Sequence, residues 1–108
     1  MADDNFAYEI ICTMEIYSVA PAGSPELWSL KIGKPTRVGA DSIWFTHVEV
    51  VGPVTSILDV KSEDSMHSLF LAVKYIQNLL SKFQMDGLRF FFLDDEEIDF
   101  RDFLNVAP

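Results

Sequence analysis

The residue pattern predicts an α+β domain in which one long amphipathic helix packs on one face of a mostly antiparallel sheet of four to five strands. Three observations carry that expectation. Over residues 64–84, Met66, Leu69, Phe70, Ala72, Val73, Ile76, Leu79, Leu80 and Phe83 recur at helical spacing and fill about half of the wheel. The other apolar runs are short and alternate with period two, as half-buried strands do. Gly and Pro punctuate them, so each run ends before it can become a helix. With 108 residues and 49% hydrophobic content, residues 1–108 suffice for a single domain with its own core, and neither disulfides nor a structural metal is required.

The elements follow in order. Phe6, Tyr8, Ile10, Cys12, Met14 and Ile16 share one face of a long first strand running to Val19, with Glu9, Thr13 and Glu15 on the other. Ala20-Pro21-Ala22-Gly23-Ser24-Pro25 cannot continue a sheet, because its prolines lack donors and its glycine favours a turn. Trp28, Leu30 and Ile32 alternate with Ser29 and Lys31 in a second strand, and the short linkage favours an antiparallel hairpin. Residues 34–42 form a polar connection. Residues 43–51, rich in aromatic and β-branched side chains, form a third strand.

Gly52-Pro53 breaks that strand, and residues 54–60 resume as a fourth strand in preference to a bulged continuation of the third. Ser62 or Asp64 is placed to cap the helix, and Asp86-Gly87 to end it. Residues 88–93 are apolar on both faces apart from Arg89, as in a covered strand. Ile98, Phe100, Phe103 and Leu104 then read as a short strand or helical turn pinning the tail to the core.

Composition bounds the function. The net charge of −9, from 17 acidic and 8 basic residues, argues against nucleic acid and anionic membrane surfaces as partners. No apolar stretch of 18 residues occurs and the first residues do not resemble a secretory signal, so a cytoplasmic location is expected. The one cysteine, Cys12, lies in a strand pattern and is expected to be buried and inert. Six acids and one arginine fall in the nine residues 94–102. Such a block is either a landing site for a basic partner or a solvated turn.

No catalytic or cofactor signature accompanies these features, and a non-enzymatic role without cofactor or metal is expected. His47, His67 and Cys12 lack the local spacing of a zinc site, and the five glycines are isolated, so no phosphate loop is formed. The acidic block has oxygen ligands that suit calcium but lacks the central glycine and alternating spacing of the twelve-residue calcium loop. Leu71 and Tyr75, four residues apart on the helix face opposite the apolar stripe and beside Ser68, Asn78 and Lys82, form a second candidate contact, to a partner or a second copy.

Three functions remain open from the residues. The first is a binding module whose acidic edge, Asp94, Asp95, Glu96, Glu97, Asp99 and Asp102, attracts a basic protein. The second is a small-ligand binder or enzyme with an aromatic pocket between sheet and helix, lined by Tyr17, Trp28, Trp44 or His47. The third is a structural homodimer formed through a strand edge or through Leu71 and Tyr75.

In size, charge and element order, with its long first hairpin, the acidic approach to the helix at Ser62–Ser65, the helix to Phe83 and the strand at 88–93, the chain resembles small uncharacterised bacterial domains. It more loosely resembles the acidic immunity proteins that neutralise toxins of competing bacteria. That resemblance implies a non-enzymatic protein meeting a basic toxin surface with its acids, and it transfers no individual residue.

Overall fold

A computed structural model describes residues 9–37, 39 and 43–102. Phe6 and Tyr8 of the expected first strand, and Phe103 and Leu104 of the expected tail, lie outside the described residues. Within them the expected α+β arrangement is present: one helix packed on an antiparallel sheet. The strands are β1 (Ile10–Val19), β2 (Glu26–Gly33), β3 (Thr36–Arg37), β4 (Trp44–Val51), β5 (Ser56–Ser62), β6 (Arg89–Phe92) and β7 (Glu97–Ile98). Helix α1 (Ser65–Met85) separates β5 from β6, and a 3-10 turn, Phe100–Asp102, follows β7.

Across the sheet the order is β5, β4, β2, β1, β6, β7. The short β3 continues β2 along the same side of β4, pairing Thr36 with Phe45 and Arg37 with Trp44, whereas β2 pairs Ile32 with Val48. The polar connection expected at 34–42 therefore contributes a small strand of its own. The region after Gly52-Pro53 is a separate strand, β5, which pairs with β4 from Ser56–Val50 through Ser62–Trp44. Residues 88–93 form an inner strand, as their apolar pattern requires: β6 lies between β1 and β7.

Asp64 caps α1, its carboxylate accepting the His67 backbone N–H at 2.6 Å, and Gly87 takes φ +106° just past the last turn. The buried face is Ser68, Ala72, Ile76, Gln77 and Leu80, with Leu69, Val73, Tyr75, Leu79 and Phe83 packed beside it. The helix is thus turned from the orientation its sequence suggests. Met66 and Phe70, members of the expected apolar stripe, are 79% and 55% exposed. Ser68, expected on the surface, is fully buried; it donates to the Ser65 carbonyl at 3.0 Å, which leaves Thr46 to donate to Ser68 across a buried 2.8 Å contact. Gln77 bridges α1 to the tail by donating to the Phe100 carbonyl at 2.9 Å, while Gln84 accepts from the Phe100 N–H at 2.7 Å.

The core centres on Trp28, whose indole meets Phe83 and Phe90 with ring centroids 5.6 and 5.5 Å away. Phe100 continues the cluster edge-on to Phe90 at 5.4 Å. Burying an indole requires a partner for its N–H, which Ser18 supplies at 2.8 Å. The other side of the ring lies against the backbone of Gly52, where an added Cβ would come within 2.6 Å of the indole Cδ2. Gly52→Ala is therefore expected to cost about 1–3 kcal/mol through overpacking. A urea midpoint unchanged from the native protein would show that the indole yields without cost.

Candidate functional site

The face of the sheet turned away from α1 carries the polar chemistry of the chain. Because successive side chains alternate, it presents Thr13, Glu15 and Tyr17 of β1, Ser29 and Lys31 of β2, His47 and Glu49 of β4, Asp59 of β5, and Arg89 and Phe91 of β6. Much of this polarity is consumed internally. His47 is 7% exposed and has a carboxylate at each ring nitrogen, Asp59 at Nδ1 and Glu49 at Nε2, both at 2.9 Å. The ring is thus held between two carboxylates, one at each nitrogen. The cluster fastens β4 to β5, and both ring nitrogens are engaged within it.

A second cluster joins β1, β6 and β7. Tyr17 stacks on Phe91 with centroids 5.1 Å apart and planes 16° from parallel, and Arg89 lies over the same phenyl ring at 5.2 Å. Arg89 also grips Glu97 with two hydrogen bonds of 2.9 and 3.0 Å. The Tyr17 hydroxyl donates to Asp95 at 2.7 Å, which raises the phenol above its ordinary value through that bond. Asp95 is held at φ +74°, a left-handed conformation that few residues other than glycine, Asn and Asp tolerate.

The acidic block therefore divides. Glu97 and Asp99 are engaged by Arg89 and Arg101, and hydrogen bonds from those arginines hold both carboxylates below their ordinary values. Asp95 is tied to Tyr17, and Asp102 closes the 3-10 turn. Asp94 accepts the Glu96 N–H at 3.1 Å, shaping the β6–β7 turn, and the side chains of Asp94 and Glu96 border an open groove of about 730 Å³. Thr13, Glu15, Ser29, Lys31, Phe92 and Leu93 complete its lining. Glu15 and Glu96 have no ion pair among the described residues, so the groove is net acidic, with Lys31 as its one lining cation.

The other candidates are placed differently from the sequence expectation. Leu71 and Tyr75 do not form an outward patch. Both are half-buried, the Tyr75 ring packs against the core, and its hydroxyl shares a 2.5 Å hydrogen bond with Ser56 of β5. The expected aromatic pocket is not assembled either. Trp28 fills the core, while Tyr17 and His47 lie on the opposite face of the sheet. Cys12 is exposed, contrary to expectation, because α1 does not reach the first half of β1. The groove itself was missed: its lining comes from three separate segments that only the sheet order joins.

Among the described residues there is no group of three or more His, Cys, Asp or Glu side chains arranged to hold a metal ion, and no helix is long and apolar enough to cross a membrane. His47→Leu is expected to cost about 1–3 kcal/mol in urea denaturation, because Asp59 and Glu49 lose their shared donor; an unchanged midpoint would contradict the fastening role. The lowered Glu97 carboxyl stabilises the fold fully above the ordinary carboxylate value, and this contribution disappears as pH falls through the lower folded-state value. Glu97→Gln should therefore lower Tm at neutral pH and converge with the native protein in acid, whereas a constant offset across the pH range would contradict this assignment. No protein-family model, curated protein or solved structure matches the chain.

Proposed function

We propose that the chain is a non-enzymatic protein-binding module that engages a basic partner through the acidic groove at the β6–β7 turn. The observation that carries this reading is the convergence of Glu15, Asp94 and Glu96 on one exposed groove, while neighbouring acids are already engaged by Arg89, Arg101 and Tyr17. Carboxylates in that position leave their charge available to an approaching molecule, and the overall charge of −9 extends the attraction beyond the contact. Long-range attraction raises the rate of encounter, and the exposed Leu93 beside the acids supplies apolar area for the bound state. An immunity-like role belongs to the same class of function.

The test uses Glu15→Gln, Asp94→Asn and Glu96→Gln together, changes that remove charge and keep shape, including the Asn acceptor needed by the turn. Immobilised native protein should retain basic proteins from lysate at low salt and release them near 1 M salt, where the Debye length is about 3 Å. The triple variant should retain them poorly at equal thermal stability. Equal, salt-insensitive retention by both proteins would overturn the assignment of this groove.

A further inference from the structure

The β1 strand is paired with β2 from Ile10 to Ser18, with one irregularity at Ile11, yet on its other side β6 accompanies only Ile16 to Val19. The six residues Ile10–Glu15 thus present a strand edge with no partner among the described residues, about 20 Å long at the usual rise. An edge of that kind is ordinarily blunted by lysine, proline or a short length. Here the sequence Ile-Ile-Cys-Thr-Met-Glu contains neither residue, and Ile10, Ile11 and Cys12 are exposed. Its blunting devices are the irregularity between Ile10 and Cys12 and the single charge of Glu15 at its end. The outer edge of β5 differs, since Asp59 and Lys61 interrupt it with charge, and β7 has only two residues.

The acidic groove lies beside this edge, in the place β6 would occupy if it continued past Phe92. We infer that the edge of Ile10–Glu15 receives an extended segment of the basic partner as an added strand, with alternate basic side chains over Glu15, Asp94 and Glu96. This rests on the acidic-groove reading and adds to it the mode of recognition. Backbone hydrogen bonds would hold the segment, and side-chain alternation would give specificity. Every second side chain of the added strand would face the groove, and those between would face the side of the sheet that carries Cys12 and Met14.

Charge selects the occupant. A second copy pairing antiparallel through the same edge would bring its own Glu9 and Glu15 toward these acids, a like-charge arrangement that disfavours self-pairing. A basic strand has the complementary sign.

The probe is a synthetic decapeptide of alternating Lys and Val, with alternating Glu and Val as the control, and the readout is residue-resolved amide hydrogen exchange of the full chain. The Lys peptide should slow exchange by about tenfold or more at the amides of Ile10–Glu15 that point away from β2, and the Glu peptide should not. The triple charge variant should bind the Lys peptide about tenfold more weakly, as expected from losing three exposed charge pairs.

Salt-sensitive binding that leaves those amides unprotected would overturn strand addition while leaving the charge-guided contact in place. No binding even at low salt would overturn strand addition, and the lysate capture would then decide the groove reading separately. Protection already present in the free protein would show the edge covered by the chain itself or by a second copy, which sedimentation distinguishes, and would likewise overturn the inference.

Discussion

A single helix about 10 Å wide must cover a sheet six strand positions across, about 24 Å from edge to edge, and this mismatch governs the rest of the molecule. Helix α1 resolves part of it by lying mainly over β4 and β5, with its last turns reaching Trp28. The remaining area over β1, β6 and β7 is filled by large rings and by the chain after β7. Trp28, Phe90 and Phe100 interlock there, and Gln77 and Gln84 bind the backbone of residues 98–101 to the helix. The glycine at position 52 follows from the same demand, because an indole large enough to fill the space leaves no room for a Cβ.

The cover ends before the first half of β1. Where α1 and the 3-10 turn no longer reach, Ile10, Ile11 and Cys12 are exposed, and β6 has already turned away at Phe92. The same tight turn places Asp94 and Glu96 beside that edge. The groove thus opens where β6 stops alongside β1 and the β6–β7 turn leaves the strand edge, on the face away from α1. Elsewhere on the uncovered face, some charges are matched across strands: His47 directly faces Asp59, and Arg89 reaches Glu97 on the diagonal. A protein whose charges were all matched in this way would offer little to a charged partner. The unmatched carboxylates at the β6–β7 turn are what give this face a preferred side.

The partitioning of the acidic block illustrates how far residue counting reaches. Six acids in nine residues identify a strongly negative segment, but they do not separate acids that hold the hairpin together from acids that face outward. Arg89 lies eight residues before Glu97, and Tyr17 lies 78 residues before Asp95, so those pairings depend on β6 lying between β1 and β7. The Tyr75 contact with Ser56 is equally invisible in one dimension, since both flanks of the helix carry apolar residues and the helical period does not choose between them.

The residues alone specify the class of fold and its main elements, though not the small strand β3. Local rules are enough for this: alternation in the strands, the 3.6-residue period of the helix, a cap at Ser62 or Asp64, which the structure places on Asp64, and Gly87 at the helix end. Which faces those elements bury is settled by packing between them. The rotation of α1 is set by the surfaces available to it. Tyr75 faces β5, and the side of Gln77 meets residues 98–101, while Met66 and Phe70 extend past that cover. The open edge of β1 was decided in the same way, because a strand's pairing depends on where a neighbour some seventy residues later in the chain stops. Burial is a property of two surfaces together, and the sequence describes each of them alone.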